Sequence, residues 1–135
     1  MLTLLLGGAR AGKSSLAERW ASAHAADGGA VAVVATGERV DAEMAARIER
    51  HAADRPADWT VVEEPVDLAR AIRSVDADAF VIVDCLTTWL GNLAARDRMG
   101  DALELLDGAL AAVAARPGRT VVISNEVGLG IVPAD

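Results

Sequence analysis

One lysine, one cysteine, one phenylalanine and no tyrosine occur in this 135-residue chain, and each scarcity excludes something. The lone thiol, Cys85, rules out an internal disulfide and a metal site built from several cysteines, and it suits a reducing compartment. Aromatics make up 3% of the residues, so the core must be built from Val, Leu, Ile and Ala. Acidic residues outnumber basic ones, 20 to 13, for a net charge of −7. Such a chain has no general attraction for nucleic acid or an anionic membrane surface, so neither partner is expected. No apolar run reaches transmembrane length, and no charged-then-apolar leader is visible. The expectation is a soluble cytoplasmic protein. Its 53% hydrophobic content is ample for one domain with its own core.

The single lysine is placed informatively. Gly7-Gly8-Ala9-Arg10-Ala11-Gly12-Lys13-Ser14 matches G-x-x-x-x-G-K-S in full. Twelve of the 13 basic residues are arginine, so lysine is used where arginine will not do. A compact ammonium fits between β- and γ-phosphate oxygens, where a planar guanidinium is too wide. The apolar run Leu2–Leu6 reads as a buried parallel strand before the loop. The glycines let backbone N–H groups turn inward around an anion. A helical pattern from Lys13, with Leu16, Ala17 and Trp20 on one stripe, adds the positive end of a helix dipole. The Ser14 hydroxyl is placed to ligate Mg²⁺.

Strand and helix patterns alternate along the chain. Strands are expected at Leu2–Leu6, Val31–Ala35, Trp59–Val62, Ala79–Val83 and Thr120–Ser124. Helices are expected at Lys13–Ala26, Asp41–Asp54, Val66–Ser74, Leu86–Ala95 and Asp101–Arg116. Turn signals separate them at Asp27-Gly28-Gly29, Arg55-Pro56, Asp76-Ala77-Asp78 and Pro117-Gly118. The implied fold is α/β, a mostly parallel sheet with helices on both faces and a ligand at the carboxyl ends of the strands. The whole of residues 1–135 reads as a single P-loop nucleotide-binding domain.

Val81-Ile82-Val83-Asp84 ends a strand in a carboxylate, a pattern that holds Mg²⁺ in phosphate-loop enzymes and elsewhere caps a helix. Thr87 and Thr88 either contact phosphate or cap the next helix. Met44, Ile48 and His51 share one helical stripe, which reads as a histidine at the edge of a core face. The sharper alternative is a nucleophile or general base. Arg47 and Arg55 flank it and would form a cationic patch suited to phosphates, or else a solvated face. Thr36-Gly37-Glu38 leaves the second strand on the edge where the phosphate loop sits. His24 reads as a surface residue, and Trp59 and Trp89 as core.

Several separated blocks resemble one family, the bifunctional adenosylcobinamide kinase / adenosylcobinamide-phosphate guanylyltransferases of cobalamin biosynthesis. They are the phosphate loop; Ala35-Thr36; Asp41 through Pro56 as D-x-E-M-x-x-R-I-x-x-H with R-P after it; Trp59; and Glu63-Glu64-Pro65. Cys85-Leu86-Thr87-Thr88 with Asn92, and Asn125-Glu126-Val127-Gly128 with Gly130-Ile131-Val132-Pro133, complete the set. The resemblance implies a RecA-like P-loop fold and a homotrimer. It implies phosphorylation of adenosylcobinamide by ATP or GTP, then transfer of GMP from GTP to adenosylcobinamide-phosphate through a guanylylated histidine. His51 falls on that position. Thr36, Gly37, Glu38 and Glu63 fall where the family contacts the guanine nucleotide. Family members run roughly 40 residues beyond the I-V-P stretch, so this chain is expected to lack their C-terminal part. The alternatives from the residues alone are another small-molecule P-loop kinase with no covalent histidine, or a nucleotide-switched binding module.

Overall fold

The computed structural model of the chain describes residues 1–7 and 12–125, except the Ser14 side chain. Its elements alternate: β1 (Leu2–Gly7), α1 (Lys13–Ala26), β2 (Val31–Ala35), α2 (Ala42–Ala53), β3 (Thr60–Glu63), α3 (Leu68–Arg73), β4 (Phe80–Asp84), α4 (Leu86–Ala95), a 3₁₀ turn (Met99–Asp101), α5 (Ala102–Ala114) and β5 (Thr120–Asn125). The five strands form one sheet in the order β1-β5-β4-β2-β3, and every pair is parallel.

The period of two along the central strands divides the core between the two faces. Ala32, Val34, Val81 and Val83 point to one side, where they pack with Leu68, Ile72, Trp89, Leu93 and Val113 of α3, α4 and α5. Val31, Val33, Phe80 and Ile82 point to the other, against Ala17 and Ala21 of α1 and the Trp59 ring. Both tryptophans expected in the core are there, Trp59 at 7% exposure and Trp89 at 1%. The small Ala17 and Ala21 let α1 lie close to the sheet, one reason the phosphate-loop helix sits directly over its strands.

Local chemistry sets the element ends. Gly12 takes φ 80°, a left-handed conformation that favours glycine, immediately before α1. Asp41 caps α2 by accepting from the Met44 N–H at 2.8 Å. The expected helix from Val66 starts later, at Leu68, because the Glu64 carboxylate accepts from the Val66 and Asp67 N–H groups and turns the chain there. Strand β3 begins after Trp59, whose N–H donates to the Pro56 carbonyl instead. His24 departs from the expected surface position: its ring packs 5.9 Å from that of Phe80, and its Nε2 is buried. One helix stands apart. No residue of α2 is buried, so the stripe of Met44, Ile48 and His51 is not the edge of a core face.

The register brings the carboxyl ends of four strands into line. Gly7 pairs with Asn125, Asp84 with Ile123 and Ala35 with Asp84. This edge carries the candidate site.

Candidate active site

A cavity of about 550 Å³ opens at that edge. Its floor is Gly12 and Lys13 at the start of α1, with Ala35, Asp84, Ile123 and Asn125 from the strand ends. Met44, Arg47, Ile48 and His51 of α2 form one wall with Arg55, and Gly37, Cys85 and Thr88 approach from the loops after β2 and β4. The stripe of α2 that buries nothing in the core therefore faces the cavity.

The charge of this cavity is opposite to that of the chain. Among the described residues, Lys13, Arg47 and Arg55 line it against one carboxylate, Asp84, within a protein of net charge −7. A local cationic site of this kind holds a polyphosphate without making the whole surface sticky to anions. Lys13 is 8% exposed, and its ammonium donates to the Gly7 carbonyl at 2.9 Å. The loop lysine is thus folded back to the end of β1. Asp84 does not cap the next helix. That role belongs to Cys85, whose Sγ accepts from the Thr88 N–H at 3.4 Å. The Asp84 carboxylate instead faces the cavity and pairs with Arg55 at 3.7 Å.

The other residues singled out from the sequence are divided. Gly7 terminates β1, Gly12 starts α1, and Gly37 lines the cavity. The Thr36 side chain is turned into the interior and is not part of the cavity lining. It is fully buried, and its hydroxyl accepts from the Cys85 N–H at 2.9 Å and donates to the Cys85 carbonyl at 2.8 Å. It locks the end of β2 to the end of β4. Glu38 is not among the cavity-lining residues. It pairs with Arg96, which holds its carboxyl below the usual carboxylate range through a hydrogen bond. Glu63 pairs with Arg39 at 3.0 Å, again outside the cavity lining. Thr87 turns to β5, donating to the Asn125 carbonyl at 3.1 Å. Gly8, Ala9, Arg10 and Ala11, the Ser14 side chain, and the block from Glu126 to Pro133 lie outside the described residues.

Of two further contributors, Asn92 entered the sequence reading only as part of a resembling block with no role attached, and Glu18 not at all. Asn92, buried on α4, donates to the carbonyls of Thr36 at 2.7 Å and Pro65 at 3.0 Å, tying together the loops after β2 and β3. A buried asparagine in an apolar helix was the available signal. Glu18, half-buried on α1, stands near Arg55 and Asp84. Burial pushes its carboxyl up, Arg55 opposes that, and Asp84 adds to it. Its spacing of four from Ser14 was a hint that it shares a helix face with the loop.

Comparisons with known proteins agree with this geometry. Residues 3–135 match the family profile described as cobinamide kinase / cobinamide phosphate guanyltransferase. The chain is 47% identical over 138 residues to the bifunctional adenosylcobalamin biosynthesis protein CobP of Pseudomonas aeruginosa, covering 98% of this chain and 76% of that protein. It is 37% identical over 148 residues to the bifunctional adenosylcobalamin biosynthesis protein CobU of Escherichia coli, covering 98% and 79% respectively. The protein of the same name from Salmonella typhimurium is 36% identical over 150 residues, with the same coverage. With the phosphate-loop lysine, the strand-end aspartate and the α2 histidine gathered at one sheet edge, the chain belongs to the cobinamide kinase / cobinamide phosphate guanyltransferase family.

Proposed function

We propose that this chain phosphorylates adenosylcobinamide with ATP or GTP and then transfers GMP from GTP to adenosylcobinamide-phosphate, with His51 as the covalent carrier. The observation that carries the reading is that one cavity holds both Lys13 and His51. Phosphoryl transfer needs little covalent chemistry from the protein; it needs positioning and charge stabilisation. Lys13, the amides at the start of α1, Arg47 and Arg55 supply the positive field. In the kinase step, the substrate hydroxyl oxygen bonds to the γ-phosphorus and the nucleoside diphosphate departs.

In the guanylyl step, a ring nitrogen of His51 bonds to the α-phosphorus of GTP. The bond to the bridging oxygen breaks and pyrophosphate leaves. The phosphate oxygen of the corrinoid then displaces His51, giving a diphosphate ester and restoring the imidazole. Covalent catalysis divides one difficult transfer into two easier ones. His51 is exposed on a helix with no fully buried residue, so it is accessible to both reactants.

Mg²⁺ belongs to the same reading. It takes one or two carboxylate or hydroxyl oxygens from the protein and completes its shell with phosphate and water. The described residues fit this: they contain no cluster of three His, Cys, Asp or Glu that would cage a metal unaided, and Asp84 offers one carboxylate to the cavity. Asp84 and the Ser14 hydroxyl would hold the ion, which supplies neutralisation of the phosphate charge. Gly8, Ala9, Arg10 and Ala11 belong to the phosphate-loop motif by sequence, while Thr36, Gly37, Glu38 and Glu63 would shape the guanine side, Thr36 from the interior. Homotrimeric assembly and a cytoplasmic location complete the reading, and sedimentation equilibrium tests the first.

The test is to supply adenosylcobinamide, Mg²⁺ and GTP to the protein and to a His51→Ala variant and separate the corrinoid products. The parent is expected to form adenosylcobinamide-GDP, and the variant to stop at adenosylcobinamide-phosphate. Equal loss of both steps in a folded variant would refute this division of labour.

A further inference from the structure

A second, small cavity of about 10 Å³ adjoins the first and shares Arg55, Asp84 and Ile123 with it. It has room for about one water at most. Its remaining walls are Val33, Ile82 and the carboxylate-bearing side chain of Glu18. Arg55 therefore lines this small cavity together with two acids, Glu18 and Asp84, in a setting where its side chain is only 8% exposed. A cation so buried is costly unless its charge is compensated. The contact to Asp84, at 3.7 Å, is long for an ion pair. An Asp84 carboxylate turned toward a metal–nucleotide complex would compensate Arg55 still less. Glu18 is the second anion of this cavity, one helical turn beyond Ser14. Burial disfavours its charge, while Arg55 favours it more than any other neighbour does, with Asp84 and Asp54 against and His51 in support.

We propose that Glu18 is a positioning residue that holds Arg55 at the cavity wall and so leaves the Asp84 carboxylate available to the metal–nucleotide complex. The inference rests on the reading of Asp84 as a metal ligand. Without the pull of Glu18, the long 3.7 Å pairing of Arg55 with Asp84 tightens, and Mg²⁺ must compete with a guanidinium for the same oxygens. The effect runs through Arg55, which distinguishes it from the simple loss of one negative charge near a cation.

A fluorescent, non-hydrolysable GTP analogue, titrated with Mg²⁺, reads this without any turnover. The parent, Glu18→Gln, Arg55→Ala and the double variant make a double-mutant cycle. Glu18→Gln is expected to raise the half-saturating Mg²⁺ concentration about tenfold with Arg55 present, and less than about twofold in the Arg55→Ala background. Should Glu18→Gln not fold, Glu18→Asp decides in its place. Withdrawing the carboxylate by one methylene is expected to raise the Mg²⁺ requirement about threefold, again only with Arg55 present. An equal rise in both backgrounds, or no rise in a folded variant, would overturn the proposal and leave the proposed function standing. Nucleotide binding by the parent that ignores Mg²⁺ would remove the metal reading of Asp84, and this inference with it.

Discussion

Replacing Thr36 by valine keeps the shape of a fully buried side chain and deletes its hydroxyl. That hydroxyl serves both faces of Cys85. It accepts from the Cys85 N–H at 2.9 Å and donates to the Cys85 carbonyl at 2.8 Å. The two losses are unequal. The Cys85 carbonyl keeps the Trp89 N–H at 3.2 Å as a second donor, and the Asp84 carbonyl keeps the Thr36 N–H at 3.1 Å. Among the described residues the Cys85 N–H has no second acceptor, so it is orphaned in the interior. An orphaned buried donor costs about 1–3 kcal/mol, and the lost donation to the carbonyl about 1 more. The sum is about 3 kcal/mol. For a domain of this size that lowers Tm by roughly 10–15 °C. Thr36→Ser keeps the hydroxyl and loses one methyl, for about 1 kcal/mol. Urea denaturation of the three proteins, with m-values compared, measures the gap directly. A valine variant no less stable than the serine variant would refute the reasoning, because it would show the methyl rather than the hydroxyl to matter.

Removing the Asp41 cap by Asp41→Ala costs about 1 kcal/mol of helix stability. Because no residue of α2 is fully buried, the loss is expected as faster hydrogen exchange of the α2 amides with little change in global Tm. The Glu64→Gln variant is expected to show a pH-dependent deficit. Burial works against the Glu64 charge, but N–H donors from Asp67 and Val66 and the Arg70 guanidinium outweigh it and hold the carboxyl below the usual range. A depressed folded-state pKa gives stability that is complete above the unfolded value of about 4.3 and lost as pH falls through the folded one. The gap between the parent and Glu64→Gln should therefore be widest above about pH 5 and shrink on acidification below the ordinary carboxylate range. A gap that is constant with pH would contradict this.

The strands were legible because their apolar runs end in unambiguous turns, and the central ones are buried on both faces. Boundaries moved where a side chain captured backbone groups, as Glu64 does at Val66 and Asp67. The position of Lys13 followed from the loop motif alone. His51 was harder, since a stripe of Met44, Ile48 and His51 looks the same whether it faces a core or a cavity. Only the sheet topology, which leaves α2 without core contacts, separates the two. Thr36, Glu38 and Glu63 stand close to the edge in sequence, yet the hydroxyl bonds of Thr36 and the arginine partners of the two glutamates come from other elements. Such partners are set by tertiary packing and leave no local signature. The same holds for Glu18, because Arg55 and Asp84 lie 37 and 66 positions further along the chain.

The most direct test of the covalent reading uses GTP labelled at the α-phosphate. The protein is incubated with it and Mg²⁺, denatured and freed of nucleotide, and retained label is counted. The account expects label that is lost in acid, survives alkali and is absent from His51→Ala. A folded protein that retains none, or label that persists in the variant, would contradict it.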